Sequence, residues 1–432
     1  MRESIKIFIS YHKESEVLKS EIMTPIHVGA KKSTVRLNMI RDDEGDNISE
    51  KNDRYCELTA QYWAWKNAEA DYYGFMHYRR HFIFRNLPYE LEDGALAEYD
   101  RIDLQYRMEA GLYDDAIRHC VEGYDILIPS VTDTSIWGTM SNEIQFCSLE
   151  NLHAKDFDTV CRTIVDLYPD YEPYVLKFRT GQRAYWYNMF VMKKELFMDY
   201  SQWLFTILES AEKRVDLTGY DQQETRTLAF MAERLLTVWL DKLLDDRPKL
   251  KVKIMNITMV LNTDLGAEEI PVQERGKWRQ PEKDWDRLLG KAYRELKQLS
   301  LPYKMEDLFT VKESQWNEIL QTKEVRFYGG GRWCRSLLGF FERLHFNAPV
   351  EIWDKSAQKI QSINGIPVVT PTEELITGSR GAYVVITIQN RFAADAVKDY
   401  FEAKGIHTIH YSELLKWFAY RIWKTVDEEA EG

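Results

Sequence analysis

Residues 42–80 combine a polar loop, an aromatic-rich helix and a short apolar strand, and this order constrains the fold more than any other stretch. The acidic turn at 42–47 contains Gly and Asn, which tolerate a positive φ, and Asp, which bonds its own backbone. Apolar side chains recur at helical spacing from 55 to 68, and 72–76 is predicted to be a buried strand that ends in His77-Tyr78-Arg79-Arg80. Ligands bind beyond the carboxyl ends of strands in an open α/β sheet, so the loop carboxylates and the arginine tip are expected at the binding edge.

The rest of the N-terminal part alternates apolar strands with helices. Strands are predicted at residues 5–9, 25–30, 124–129, 185–192 and 251–259, and helices within 93–120, 146–168, 195–209 and 226–244. The first strand also runs into a polar tip, residues 10–13. This alternation predicts an α/β fold with a mainly parallel sheet covered on both faces.

A smaller Rossmann-like α/β domain is predicted towards the C-terminus. It rests on a strand at 325–328, the turn Gly329-Gly330-Gly331 and a later strand ending at Asp354. The dinucleotide fingerprint needs a glycine where Cys334 stands, whereas Asp354 suits a ribose-binding acid, so nucleotide binding and a structural or substrate-positioning role both stay open. The predicted domains are 1–262, a helical linker at 263–320, the Rossmann-like domain at 321–415 and an amphipathic tail at 416–432.

Composition argues against several classes of protein. A chain of 432 residues has room for two or three domains, and its net charge of −12 argues against nucleic-acid binding, which needs a basic footprint. Five scattered cysteines without a CxxC pair are typical of a reduced, cytoplasmic protein with no zinc site. The sequence has no apolar run of about 18 residues and no signal-peptide pattern, so a cytoplasmic location is expected.

Six motifs, matching in order, carry a resemblance to a known family. They are SYHK (10–13), DDEGDNISEKN (42–52), YCELTAQYWAWKN (55–67), DYYGFMHYRRHF (71–82), YNMFVMKKELF (187–197) and ERLLTVW (233–239). Over roughly residues 4–260 the chain resembles a bacterial capsular and exopolysaccharide biosynthesis family, long catalogued as domain of unknown function 4422, which includes galactofuranosyl- and other hexosyltransferases. The resemblance implies a GT-A-like fold, a nucleotide-sugar donor such as a UDP-sugar, and a saccharide acceptor.

Glycosyl transfer requires the charge on the departing diphosphate to be stabilised. GT-A enzymes usually use a divalent metal on a DxD motif after a central strand, but here that strand tip reads His77-Tyr78-Arg79. The leading hypothesis is therefore metal-independent: Arg79 and Arg80 hold the diphosphate, and one of the two faces it because adjacent strand residues point oppositely. His77 either donates to a phosphate or is a satisfied core histidine. No residue is assigned as a metal ligand, although a divalent metal, Mn²⁺ or Mg²⁺, stays open.

The resemblance also assigns roles to the acidic loop and to two acceptor contacts. Asp42 and Asp43 occupy the place where GT-A enzymes hold the uridine and ribose, with a solvated acidic turn as the alternative. Asn47 is predicted to belong to the same donor site, and His12 to approach it from the first strand end. The predicted contacts to the sugar acceptor are Trp63 and Asn188.

A base is needed for the acceptor hydroxyl if the configuration inverts, which is the expected outcome. Glu233 is favoured by its motif, and Asp221 or Glu224 by a position near the start of a late helix, so Glu233 and Asp221 both stay open. The DxD pairs that exist are expected to be helix-start or surface charges; they are Asp156/Asp158 and Asp284/Asp286.

The stretch 411–424 predicts a basic, aromatic amphipathic helix. It suits either a membrane surface, at the inner face of the cell membrane with a lipid-linked acceptor, or packing on the Rossmann-like domain or a dimer partner. Two other functions are alternatives: an NAD-dependent nucleotide-sugar-modifying enzyme that uses the glycine turn, and a non-catalytic saccharide-binding protein. No oligomeric state is predicted.

Overall fold

The computed structural model of the chain describes residues 2–87, 96–268, 284–309, 316, 319–321, 323–355 and 357–431. The chain divides into two compact units, one of Met1–Asp133 with Asn151–Val272 and the other of Thr134–Glu150 with Gln273–Gly432. Residues 134–150, placed in the first domain by the sequence, thus group with the second unit. Much of the predicted linker at 263–320 lies outside the described residues.

The first unit is organised around one large, mainly parallel sheet. Its strands are β1 (Ile5–Tyr11), β2 (Met23–His27), β3 (Ile40–Arg41), β4 (Tyr72–His77), β6 (Ile126–Pro129), β9 (Phe190–Lys193) and β10 (Val252–Met255). In the described part of the chain they form seven neighbouring strands in the order β10-β6-β9-β4-β1-β2-β3. β9 runs antiparallel to both of its neighbours, and the other pairs are parallel, as the sequence predicts.

Two small two-stranded sheets complete the first unit. β5 (Leu96–Tyr99) pairs with β11 (Ile257–Val260), and β7 (Thr132–Asp133) pairs with β8 (Arg183–Ala184). The single strand predicted at 251–259 is therefore wrong, because the chain leaves the large sheet at Asn256 and its next residues bond to the segment after β4. Val260 N donates to Arg79 O at 2.8 Å and Thr258 N to His81 O at 2.8 Å. The stretch 93–120 is likewise only partly helical, because it contains β5.

The helices of the first unit lie between these strands in sequence. They are α1 (Asn52–Tyr55), α2 (Leu58–Asn67), α3 (Leu104–Glu109), α4 (Asp114–Val121), α6 (Ala154–Leu167), α7 (Glu172–Thr180), α8 (Lys194–Glu212) and α9 (Thr227–Asp246). Short 3₁₀ helices cover Ser49–Lys51, Pro169–Tyr171 and Glu224–Arg226. The aromatic helix predicted from 55 to 68 is interrupted, because Cys56 has a φ of +49° and ends α1.

The core of the first unit lies on the two faces of the central strands. β1 and β4 are almost completely buried, in keeping with their near-continuous apolar sequences. Gly74 is required where β4 is crossed by its neighbours' side chains, since a Cβ there would lie 2.9 Å from both Ile7 Cγ1 and Val191 Cγ2. On the opposite face, the rings of Tyr73 and Phe197 stack with centroids 4.3 Å apart. The two ends of β1 and β4 are thereby fixed in register.

The second unit contains a Rossmann-like sheet. Its strands are β12 (Val325–Tyr328), β13 (Ile352–Trp353), β14 (Ser362–Ile363), β15 (Ile366–Val369), β16 (Tyr383–Ile386) and β17 (His407–His410), in the order β14-β15-β13-β12-β16-β17. Its helices are α5 (Asn142–Cys147), α10 (Trp285–Lys297), α11 (Arg332–Arg343), α12 (Glu373–Gly378), α13 (Arg391–Glu402) and α14 (Tyr411–Glu431), with 3₁₀ turns at Thr134–Trp137 and Met305–Leu308. Apart from the β14–β15 hairpin, the described strand pairs are parallel.

The amphipathic tail is helix α14, and its apolar face is buried inside the second unit. Trp417 and Phe418 are fully buried and pack against Phe346, with ring centroids 5.3 Å and 5.8 Å away. The expectation that this face lies on a membrane is therefore wrong for the folded helix, and the alternative of packing on the Rossmann-like unit is confirmed. Among the described residues, no helix is long and apolar enough to cross a bilayer.

Candidate active site

Polar side chains gather where β1, β2 and β4 end at the same edge of the large sheet. Ser10 of β1 pairs with His77 of β4, and Tyr11 pairs with His27 of β2. His12 therefore follows directly beyond this edge, where its ring meets the Tyr78 ring at 4.9 Å. The edge that the sequence predicts as the binding edge is thus the one that the parallel strands build.

A tight turn closes the tip of β4. His77 N donates to Arg80 O at 3.0 Å and Arg80 N donates back to His77 O at 3.2 Å, so Tyr78 and Arg79 occupy the apex. Within the described part of the chain, the guanidinium of Arg79 makes no ion pair and no hydrogen bond, and the residue is partly exposed. An unpaired guanidinium at a strand tip is suited to bind an anion.

Arg80 has a different environment from Arg79. Its guanidinium lies over the ring of Tyr187 at 5.1 Å, and its Nε is buried without a hydrogen-bond partner among the described residues. Arg80 also lowers the pKa of Glu233, although burial of that carboxyl has a larger and opposite effect. The two arginines thus serve different parts of the site.

Further cationic groups lie in the electrostatic neighbourhood of Arg79. The pKa of His12 is lowered first by burial and then by Lys13, Arg79 and Arg226. Lys13 is balanced by an ion pair with Asp264 at 2.9 Å. On a chain with a net charge of −12, this local concentration of positive charge distinguishes the strand tips from the rest of the surface.

Glu233, on α9, is the acidic group with the strongest functional signature. Burial raises its pKa to about 7, and the nearby Glu57 carboxylate raises it further, against the opposing effects of Arg234, Arg80 and Arg226. The Arg234 guanidinium is 3.9 Å from the Glu233 carboxylate. A carboxyl group with this pKa exchanges its proton near neutral pH, which is the property required of a general base.

Glu57 belongs to the same site and was missed by the sequence reasoning. It lies in the break between α1 and α2, and its Oε1 accepts a hydrogen bond from Asn188 Nδ2 at 2.7 Å. The available signal was a single carboxylate in the motif YCELTAQYWAWKN, at a position within an otherwise apolar and aromatic pattern. Without the interruption at Cys56, that carboxylate reads as an ordinary helix-surface charge.

The segment before β9 orders three residues of the site. Tyr187 and Asn188 have φ angles of +80° and +49°, an uncommon backbone for non-glycine residues. This turn presents Tyr187 O to His77 Nε2 at 2.7 Å, the Tyr187 ring to Arg80, and the Asn188 amide to Glu57. A carbonyl can only accept, so His77 carries its proton on Nε2, and burial lowers its pKa. His77 is therefore the satisfied histidine of the two alternatives.

The acidic loop is largely a structural element. Asp42 is completely buried and accepts hydrogen bonds from Gly29 N at 2.8 Å, Ala30 N at 3.0 Å and Ser49 Oγ at 2.6 Å. Its assignment as a donor-binding carboxylate is wrong in this structure, because its oxygens hold the loop after β2. Asn47 likewise bonds within the loop, donating to Gly45 O at 2.8 Å.

Asp43 and the unpredicted His27 lie near this loop. Asp43 forms a two-point pair with Arg41, which lowers the pKa of the carboxyl. His27, at the end of β2, is fully buried, and neither of its ring nitrogens has a hydrogen-bond partner among the described residues. Donor binding by Asp43 stays a prediction.

Three further predicted residues have local partners. Asp221 is exposed and its Oδ1 accepts from the backbone of Gln223 and Glu224 at 2.7 Å and 2.8 Å. Glu224 pairs with His153 at 2.9 Å. Trp63 donates from its indole to Glu44 O at 2.8 Å and so supports the acidic loop. Asn188 is buried and engaged with Glu57, which makes it a contact within the site rather than an exposed acceptor contact.

Neither DxD pair lies at the strand tip. Asp156 and Asp158 are buried on α6, and Asp158 pairs with Arg179 at 2.9 Å, so they are not surface charges. Asp286 pairs with Arg343 at 2.9 Å within the second unit. Among the described residues, no group of three or more His, Cys, Asp or Glu side chains is arranged to hold a metal ion.

Comparison with known proteins agrees with this architecture. A family model described as domain of unknown function (DUF4422) matches residues 6–244, which is more than half of the chain. The chain belongs to the DUF4422 family. All the site residues described above lie within the matched range of this family's domain. No curated protein matches the chain.

One solved structure is similar to nearly the whole chain. It is titled "WbbM bifunctional glycosytransferase apo structure", shares 28% sequence identity, and superposes with a TM-score of 0.58. The similarity covers 94% of this chain and 59% of that one, so the chain spans about three-fifths of its solved relative. Together with the strand order, this likeness shows a GT-A-like α/β fold with a second, Rossmann-like unit.

Proposed function

We propose that the chain is a glycosyltransferase that moves a sugar from a nucleotide-sugar donor to a saccharide acceptor. The observation that carries the proposal is the pairing of unlike groups at one sheet edge. An arginine without a described partner, Arg79, meets the cationic neighbourhood of Arg226, and Arg226 also acts on Glu233, whose pKa is about 7. Such a site can bind a leaving diphosphate and accept a proton from an attacking hydroxyl. The similarity to a bifunctional glycosyltransferase supports the same reading.

Arg79 is the proposed contact to the donor diphosphate, with His12 and Lys13 contributing positive charge. The prediction that one of the two neighbouring arginines faces the donor then assigns this role to Arg79, since Arg80 lies against Tyr187. A guanidinium binds two phosphate oxygens at once and stays charged at all working pH values. We take the donor to be a UDP-hexose, with UDP-galactofuranose included, and the charge stabilisation to come from these side chains. Mn²⁺ or Mg²⁺ bound with the donor stays an open addition.

Glu233 is the proposed base, in preference to Asp221. The ionised Glu233 carboxylate takes the proton of the acceptor hydroxyl while the acceptor oxygen forms a bond to the anomeric carbon. The bond from that carbon to the diphosphate oxygen breaks, and the nucleoside diphosphate leaves with the electron pair. Attack opposite to the leaving group inverts the anomeric configuration. Asp221 is less suited because it is exposed and its carboxylate holds a backbone turn.

The proposed setting is synthesis of capsule, exopolysaccharide or O-antigen, as the family resemblance implies, with an acceptor that is a free or lipid-linked saccharide. A cytoplasmic location is part of the proposal and is supported by the free state of every described cysteine. The NAD-dependent alternative is disfavoured, because Asp354 already accepts from Gly330 N and so is engaged by the glycine turn itself.

A panel of UDP-sugars, GDP-sugars and NAD tests the proposal directly. Thermal stabilisation by a UDP-sugar, followed by acceptor-dependent release of UDP, is the expected result. Stabilisation by NAD alone, or saccharide binding without release of any nucleotide, would overturn it. The same assay in EDTA addresses the metal: turnover that persists supports the arginine site, and complete loss restored by Mn²⁺ contradicts its metal independence.

A further inference from the structure

Glu57 and Glu233 are two carboxylates, brought together from distant parts of the chain, for which the transfer reaction as described requires only one. Resting on the proposed transfer, we propose that Glu57 is a positioning residue that Asn188 holds in place, and that Glu57 and Glu233 act as one pair carrying a single proton. Glu233 is the member that exchanges its proton with the sugar acceptor. Glu57 keeps that proton exchange near neutral pH.

The backbone places Glu57 deliberately. The positive φ of Cys56 ends α1 and allows α2 to begin at Leu58, so that Glu57 lies in the break between two helices. Asn188, itself in a left-handed conformation, donates to Glu57 Oε1 at 2.7 Å. A hydrogen bond from a neutral amide favours the ionised form of the carboxylate that receives it. Glu57 is thereby the charged member of the pair.

Arg226 connects the two carboxylates. Its Nε contacts Cys56 Sγ at 3.0 Å, next in sequence to Glu57, and it immediately precedes α9, which carries Glu233. Its own pKa is raised by Cys56, Glu57 and Glu233 together, although burial acts against them. The start of α9 and the break after α1 are thus fixed together by one guanidinium that interacts with both carboxylates.

The groups that act on Glu233 come from several elements. They are Glu57 from the break after α1, Arg80 from the tip of β4, Arg226 before α9, Arg234 on α9 itself, and the Tyr187 and Cys56 side chains. His77 also interacts with Glu57 and Arg80. Of the groups that act directly on the proton of Glu233, Glu57 is the carboxylate, and two like charges in a poorly solvated site favour holding one proton between them.

The first test is the pH dependence of turnover in the Glu57→Gln variant. Removing the negative charge eases ionisation of Glu233, so the acidic limb of kcat is expected to move to lower pH by about one unit. A weaker base also lowers the maximal kcat. The matched control is Glu50→Gln on the exposed 3₁₀ turn before α1, which leaves the limb unchanged. An unshifted limb in the Glu57→Gln variant would overturn the proposal.

A second measurement does not depend on catalysis. Thermal unfolding of the wild type and of Glu57→Gln is compared at pH 5 and pH 8. Because the two carboxylates repel each other only when both are ionised, Glu57→Gln is expected to gain more stability at pH 8 than at pH 5. An equal difference at both pH values contradicts the pair. If the wild type transfers no sugar yet this pH-dependent gain is present, the proposed function fails and the carboxylate pair survives.

Discussion

The Nε2 atom of His77 lies 2.7 Å from the carbonyl oxygen of Tyr187, across 110 residues of sequence. This hydrogen bond joins the tip of β4 to the left-handed turn before β9, and the same turn positions Arg80 and Glu57. The geometry of the site therefore depends on one short segment. Arg79, at the apex of the neighbouring turn, is left available for a ligand.

His77 is expected to act through this hydrogen bond rather than on the donor. In His77→Gln, the amide nitrogen can still donate to Tyr187 O, so kcat is expected to stay within about tenfold of the wild type. His77→Ala leaves the carbonyl without its buried donor, which costs about 1–3 kcal/mol of stability and disorders the turn. Steady-state kinetics and thermal unfolding of both variants measure this. Equal, severe loss of kcat in both, with unchanged stability, would show a direct catalytic role.

Removal of the Arg79 guanidinium is expected to weaken donor binding. Arg79→Ala loses charge-assisted hydrogen bonds to phosphate, worth about 1.5–3 kcal/mol, so the Kd for UDP rises about ten- to hundredfold. Isothermal titration with UDP and with uridine separates the phosphate effect from binding of the base. The matched control is Arg36→Ala, at an exposed position. Equal affinity for UDP in Arg79→Ala and wild type would exclude the assigned contact.

Asp42 is expected to contribute to stability and only indirectly to activity. Asp42→Ala leaves Gly29 N and Ala30 N without their buried acceptor and removes the partner of Ser49, at a cost of about 3 kcal/mol. Glu44→Gln, an exposed change in the same loop, is expected to stay within about 0.5 kcal/mol. Chemical unfolding compares the two variants. A fully stable Asp42→Ala with lost donor affinity would restore the donor-binding assignment.

The pKa of Glu233 makes a prediction about stability and pH. The folded-state pKa of about 7 lies above the ordinary value of 4.5, so the protonated form stabilises the fold below pH 4.5 and this stabilisation is lost as pH rises towards 7. Glu233→Gln is therefore expected to be more stable than the wild type at pH 8, by at most about 3 kcal/mol for a carboxyl that is 23% exposed. The advantage disappears near pH 4.5. A pH-independent difference between the two proteins would show that Glu233 has an ordinary pKa.

The sequence predicts the binding edge but not the sharing of labour along it. Strand alternation and the polar tips at Ser10–Lys13 and His77–Arg80 are sufficient to place the edge, because parallel strands must end together. They do not reveal that Arg80 lies against Tyr187, since this depends on two consecutive left-handed residues 107 or more positions away in sequence. Tyr187 has no local sequence signal for a positive φ.

The acidic residues show the same difference between local pattern and tertiary context. Asp42 looks like an exposed loop carboxylate because its neighbours are polar, yet its burial is set by donors from Gly29 and Ala30. Glu57 looks like a helix-surface charge because the break at Cys56 is not visible in the spacing of apolar residues. Long-range hydrogen bonds decided both cases, and single-sequence periodicity contains none of them.

The most direct test of the account is turnover by Glu233→Gln at saturating UDP-sugar, with UDP-sugar affinity measured on the same preparation. The account predicts unchanged affinity and a kcat reduced by about a hundredfold or more, because a positioned base contributes about 10²–10⁴ to the rate. Asp221→Asn, measured in parallel, is expected to keep kcat near that of the wild type. A Glu233→Gln variant that turns over at the wild-type rate would contradict the account.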